Sequence, residues 1–267
     1  VTSSTLDEFM DKTRGLSDEE FGFMSASIAL SRLMRAEGVD DFIEAMDYIV
    51  LPSQNWTAAD ADGNIAYVPG GLVPVRGKGL GVMPVPGESG EFDWTGFIPL
   101  MELPHAIDPE RGYMATANNE VVDAEWYPYV FATSYGDGWR AWRIEELIHK
   151  LAPLSLEDMA AIQNDVMVKK AQWQVPIILR AVERKPPADP GARRAAEELQ
   201  NWDYYASLDS TAAAIFYQFN KEFARNVLED ELPKKDYRAF LSGRQSKNLD
   251  LWMEACLLYT SDAADEE

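Results

Sequence analysis

The run Gly112-Tyr-Met-Ala-Thr-Ala-Asn-Asn119 ends a short apolar stretch on two adjacent side-chain amides. Read as a strand, it carries Asn118 and Asn119 at its tip. An amide N–H held there is able to donate to an oxygen that becomes negative in a transition state, the electrostatic task of acyl-transfer sites. Asn also caps turns through its side chain, so the pair has a purely structural reading as well. The other chemistry-bearing groups are weaker. Asp60-Ala-Asp62-Gly63 has the look of a calcium loop, but its glycine comes too early and no Glu closes the spacing, so it is read as a hairpin turn. His105 and His149 are the two histidines, and neither has a metal-type spacing, which argues against zinc and against a His-based triad. Glu102 and Asp108 offer a nominal glycosidase pair, yet carboxylates at arbitrary spacing in so acidic a chain carry little weight.

These residues need a frame. Trp56 to Asp60 and Ile65 to Val68 alternate like two strands, with Asp62-Gly63 supplying residues that tolerate positive φ between them. Residues 69 to 111 form a belt rich in Gly and Pro, whose Phe92, Trp94 and Phe97 argue for packing. Ahead of the strands, Thr5 to Arg14, Asp18 to Arg35 and Asp40 to Met46 read as helices. Met24, Ile28, Leu30, Leu33 and Met34 form the expected core stripe of the second. Downstream, a helix opens at Gly138, and Ser155 with Asp158 resembles a capping box. The helix that follows runs toward Arg184, with a kink or split expected at Pro176. Pro186 to Pro190 is a stiff linker, and helices follow at about 191–202 and 210–228. Helices, strands, belt and helices in that order give an α+β class.

With 267 residues and 46% hydrophobic content, the chain suffices for one large domain or part of a larger one. It holds no run of 18 apolar residues, so no membrane span is expected. A net charge of −21 repels phosphate backbones and makes nucleic acid an improbable partner. The start, Val1-Thr-Ser-Ser, has neither initiator Met nor the basic and apolar parts of a signal peptide, and reads as the interior of a longer protein. Cys256 to Glu266 resembles the translation of a transposon sequencing adapter, so residues 256–267 are set apart from a domain of residues 1–255. The lone cysteine goes with that tail and excludes a disulfide framework.

The motifs combine into a resemblance. Asn55-Trp-x-x-Ala-Asp-x-x-Gly-Asn-Ile-x-Tyr67, then Pro-Val-Pro-Gly, Asp93-Trp-Thr-Gly-x-Ile-Pro and Gly112-Tyr-x-Ala-Thr-Ala-Asn-Asn119, resemble the β-subunit of the penicillin acylase (penicillin amidase) family. Arg140-Ala-Trp-Arg-Ile, Gln163-Asn-Asp165, Trp202-Asp203 and Asp209-Ser210 extend the likeness over about residues 28–240. The resemblance implies part of a four-layer αββα N-terminal-nucleophile hydrolase fold with an extended helical region, truncated at both ends. It implies an amidase that cleaves a linear C–N bond of an N-acyl substrate of penicillin, cephalosporin or acyl-homoserine-lactone type.

In that family the nucleophile is an N-terminal Ser freed by autocatalytic cleavage, its own α-amine acting as base. Val1 is not that residue, and the context of Ser3 and Ser4 does not match. The nucleophile is therefore expected outside this chain, and the chain alone is expected to be inactive. Asn118 takes the family's oxyanion-hole position, and Arg140 that of an Arg supporting the active site. The partners implied are the family α-subunit and the N-terminal part of the β-subunit, and the location implied is periplasmic or extracellular. No cofactor is implied. Some members bind a structural calcium, but Tyr129 stands where a ligating Asp occurs and Gly81 replaces a proline whose carbonyl helps. A non-catalytic secreted binding module on the same scaffold is the alternative.

Overall fold

The computed structural model describes residue 15, residues 17–229, 231–233, 236 and 249–255. The helix expected at Thr5 to Arg14, Ser3 and Ser4, and the tail from Cys256 lie outside the described residues. The described residues belong to two compact units, one within 1–116 and 120–134, the other within 117–119 and 135–267. Helices and small antiparallel sheets make the chain α+β.

In the first unit, helix α1 (Asp18–Leu33) begins at Ser17, whose side chain and backbone exchange hydrogen bonds with Glu20 in a capping box. Among its described side chains and glycine, the buried positions are Gly22, Ser25 and Ala29. The expected apolar stripe is thus corrected: Leu30 and Met34 are exposed, and Met24, Ile28 and Leu33 are half-buried. Small residues win the inner face because neighbours come close. A methyl carbon on Gly22 would lie 3.0 Å from Leu51 Cδ1. Helix α2 (Val39–Met46) packs its Val39, Phe42, Ala45 and Met46 with Ala29, Ile49, Ala66 and Val68 as the core of this unit.

The expected hairpin is present as β1 (Gln54–Ala59) paired antiparallel with β2 (Ile65–Gly70), Trp56 opposite Val68. Its turn is built by Asp60 rather than by Asp62. The Asp60 Oδ1 accepts the N–H groups of Asp62 (3.1 Å) and Asn64 (2.9 Å), and Gly63 alone in the turn takes positive φ (92°). Those bonds, with the Asn64 amide foremost, hold the Asp60 carboxyl below its ordinary range. The carboxylate is occupied as a turn organiser. Strands β3 (Pro74–Arg76) and β4 (Trp94–Phe97) pair separately within the belt, and β5 (Ala106–Ile107) adds to β2. The belt aromatics do pack, but on one another and at the surface: Trp94 meets Phe97 edge-on at 6.2 Å, and both are exposed.

The second unit is helical. Helix α3 (Trp139–Leu151) starts at Gly138, whose φ of 81° suits glycine. Helix α4 (Leu156–Gln163) starts at the expected Ser155–Asp158 capping box. The break after it corrects the expectation about Pro176. The chain leaves the helix at 164–168 and re-enters at α5 (Lys169–Arg184), which runs through Pro176. Asp165 turns away to bind Arg143, and Met167 bridges to Tyr205, so tertiary bonds rather than the proline set the division. Helices α6 (Pro190–Gln200) and α7 (Thr211–Leu228) fall where the linker and periodicity put them. The core of this unit is Ala171, Val175 and Ile178 of α5 with Leu199, Trp202, Ala213, Phe216 and Met253.

Candidate oxyanion site

Residues 112–116 form neither helix nor backbone ladder, and Gly112 has a positive φ of 70°, which corrects the strand expected there. A strand needs a partner's backbone, and an apolar run cannot announce whether one exists. The segment is tied instead through Asn55, whose Nδ2 donates to Thr116 Oγ1 at 3.2 Å. It then bends at 117–119, with Asn118 in the left-handed region at φ 63°. Asn is among the few non-glycine residues that tolerate this conformation.

Three bonds hold the bend. The Asn119 Oδ1 accepts the Ala117 N–H at 2.9 Å. The Gly136 N–H donates to the Asn118 carbonyl. The Arg140 Nη2 donates both to the Ala117 carbonyl at 2.9 Å and to Asn118 Oδ1 at 2.7 Å. Asn118 and Arg140, 22 residues apart in the chain, are therefore in direct contact, and both side chains are exposed.

The chemistry of this pair fixes the amide. A guanidinium has donors and no acceptor, so the atom facing it must be the amide oxygen. Asn118 Nδ2 consequently points away from Arg140, and no described residue accepts from it. The positive charge on the oxygen side draws electron density across the amide and makes Nδ2–H a stronger donor. An exposed, oriented, polarised N–H donor can stabilise an oxygen on which negative charge develops.

Arg140 is held in turn through α3. One turn on, Arg143 grips Asp165 with Nε and Nη2 at 2.8 and 2.9 Å, and its Nη1 reaches Glu146 at 3.3 Å. Lys169 closes the group on Glu146 at 2.9 Å and lies over the Trp142 ring at 5.1 Å. The Arg143 bonds hold Asp165 below the ordinary carboxylate range, and the Lys169 ammonium does the same for Glu146. Near the start of α3, the Trp139 indole N–H donates to Asp250 at 3.4 Å. Asp250 is buried and also meets Lys170 Nζ at 2.8 Å and Gln174 Nε2 at 2.7 Å. Burial pushes its carboxyl up, with the Lys170 ammonium pulling the other way. Sequence reasoning passed over Arg143, Asp165 and Gly136. The first two stood inside quoted motifs, which was the available signal.

The remaining candidates are engaged elsewhere. The Asp108 carboxylate accepts the Ile65 N–H at 2.7 Å, and Glu102 accepts the Tyr129 hydroxyl. His105 Nδ1 lies 2.8 Å from the Leu103 carbonyl. The residues present do not fit a calcium ion at the position the resemblance points to. Tyr129 offers a neutral phenol, which its bond to Glu102 keeps protonated above the usual tyrosine range. A methyl carbon on Gly81 would lie 2.7 Å from Arg76 Nε, so a positively charged guanidinium sits beside the backbone that would have to offer a carbonyl. Among the described residues, no group of three or more His, Cys, Asp or Glu is disposed to hold a metal, and no helix is long and apolar enough to cross a membrane.

Similarity to known proteins is found at the level of family. Penicillin acylase 2 proenzyme of Pseudomonas sp. (strain SE83) is 33% identical over 202 residues, which is 74% of this chain and 25% of that protein. Acyl-homoserine lactone acylase QuiP of Pseudomonas syringae pv. syringae (strain B728a) is 32% identical over 210 residues, 75% of this chain and 25% of its own length. The chain thus spans about a quarter of the curated relatives it matches. Among solved structures, a thermostable penicillin G acylase from Alcaligenes faecalis superposes with a TM-score of 0.60 at 22% identity, covering 79% of this chain and 39% of that one, a likeness of fold. The family model described as penicillin amidase matches residues 23–265, nearly the whole sequence, and the chain belongs to that family.

Proposed function

We propose that this chain is the oxyanion-binding part of an amidase that hydrolyses a linear amide of an N-acyl substrate through an acyl-enzyme. The attacking oxygen is that of an N-terminal Ser contributed by sequence outside the chain, after autoproteolytic processing of a precursor. As it adds to the amide carbon, the carbonyl oxygen takes up charge and Asn118 Nδ2–H donates to it. The hydroxyl proton passes to the serine's own α-amine and from there to the leaving nitrogen as the intermediate collapses. Water then adds to the ester, the same oxygen returning to the same donor, and the acid leaves as the serine is restored. Arg140 is a positioning residue in this scheme. It binds the far side of the amide and does not touch the substrate.

The observation that carries the reading is the single contact of Arg140 Nη2 with Asn118 Oδ1, which turns the amide donor outward. The family supports the reaction class, and the acylases it resembles act, by their names, on penicillins and acyl-homoserine lactones. Penicillin, cephalosporin or acyl-homoserine-lactone amides are accordingly the substrate classes proposed here. We further propose the four-layer αββα fold for the complete enzyme, with the family α-subunit and the N-terminal part of the β-subunit as partners, and a periplasmic or extracellular location.

The test is hydrolysis of phenylacetyl, glutaryl and long-chain acyl amides, comparing this chain with the full-length processed enzyme that contains it. This chain has the donor and its brace without the attacking pair, so it retains at most the residual catalysis of a preorganised hole. No turnover is expected from the chain alone, and turnover on at least one class from the complete enzyme. Robust turnover by the chain alone would place the nucleophile within it and remove the mechanism.

A further inference from the structure

Gly136 and Gly138 lie two residues apart ahead of α3, and they are glycines for different reasons. Gly138 needs its positive φ, and a methyl carbon there would meet nothing within 4 Å. Gly136 is not among the glycines with positive φ, so its backbone would accept another residue. Its constraint is space. A methyl carbon on Gly136 would lie 3.0 Å from the Asn118 carbonyl oxygen and 3.4 Å from both the Asn118 carbonyl carbon and Cβ. All three of those atoms belong to the residue that carries the candidate donor. The Gly136 N–H meanwhile donates to the same carbonyl oxygen.

From this we infer that Gly136 is a positioning residue for the oxyanion donor: its bare α-carbon and its N–H set where Asn118 stands. The inference rests on the proposed role of Asn118. Two anchors then act on opposite ends of one residue. Gly136 holds the main chain of Asn118 in its left-handed conformation, and Arg140 holds the side-chain oxygen. Loss of either leaves the other, but not the pair of constraints that defines the direction of Nδ2–H. An added methyl would push the Asn118 backbone by a few tenths of an ångström. Catalytic constellations work within about 0.5 Å of their productive geometry, and a misplacement of about 1 Å costs about a hundredfold in rate.

The experiment compares Gly136→Ala, Asn118→Ala and the control Gly96→Ala in the full-length processed enzyme. Gly96 has ordinary φ and open space around it. Gly136→Ala is expected to lower kcat about tenfold, with KM within about twofold and the thermal midpoint unchanged. Gly96→Ala is expected to do nothing. A Gly136→Ala enzyme with wild-type kcat, beside an Asn118→Ala enzyme slowed a hundredfold or more, overturns this inference and leaves the oxyanion reading intact. A neutral Asn118→Ala overturns both. A Gly136→Ala loss matched by a lowered thermal midpoint makes the glycine a folding residue and overturns the positioning role. A readout independent of turnover is the Asn118 side-chain NH2 resonance of the present chain. It should move on Gly136→Ala and stay on Gly96→Ala, and an unmoved resonance counts against the inference.

Discussion

The contact between Arg140 and Asn118 makes the two side chains a unit rather than two contributors. Arg140 Nη2 also holds the Ala117 carbonyl, so it braces both the amide and the peptide bond that precedes it. A brace is worth something only while the braced donor exists, and residues acting as a unit are strongly non-additive. In the full-length enzyme, Arg140→Ala should therefore lower kcat by about 10–10² while Asn118 is present. In an Asn118→Ala background the same change should cost about threefold or less. Steady-state kinetics of the four proteins checks this. Losses that multiply would mean that Arg140 serves the site through some other group.

Helix α3 carries Arg140, and its position rests on a charged cluster that can be titrated. Arg143 and Asp165 are each largely buried, with side-chain exposures of 12% and 13%, and their bidentate bond ties α3 to the 164–168 break. Because the folded carboxyl of Asp165 is held below its ordinary value, its stabilisation is present above about pH 4 and fades as pH falls through the lowered folded value. Breaking one side of a buried pair costs about 3–5 kcal/mol, and this pair, slightly exposed, belongs near the low end. Urea unfolding of Asp165→Asn should show a loss of about 3 kcal/mol at pH 7 that shrinks as the pH falls below about 4. A deficit that stays constant with pH would assign the loss to packing. The same cluster explains where sequence reading succeeded and where it failed. Ser155–Asp158, Gly138 and the hairpin at 54–70 are local: cap, backbone sign and alternation lie within a few residues. The end of α4 is not local. It depends on Arg143, 22 residues upstream, drawing Asp165 out of a helix that periodicity would have continued toward Arg184. The stripe of α1 failed for a related reason, since Gly22 and Ala29 are buried by what approaches them and not by their own hydrophobicity. Asn118 was legible as a candidate through the motif, but its left-handed backbone and the direction of its amide depend on Gly136 and Arg140 in space.

For the whole molecule, the chain belongs to the penicillin amidase family, and the proposed role in acyl transfer rests on the pair at 118 and 140. The competing account makes Asn118 a left-handed turn residue that stabilises the fold, a task that Asp performs nearly as well. Asn118→Asp separates the two. Aspartate keeps the size and the backbone tolerance, and its oxygen still accepts from Arg140, now as a charged pair. What it loses is the N–H donor, replaced by an oxygen that repels developing negative charge. The decisive measurement is kcat and thermal midpoint of the full-length Asn118→Asp enzyme, on whichever acyl amide it turns over best. The expected result is a fall in kcat of at least about 10²–10³, with KM nearly unchanged and the thermal midpoint equal to or above that of the wild type. Activity within a few fold of wild type would contradict it, because the scaffold would be intact, the donor gone and the reaction indifferent.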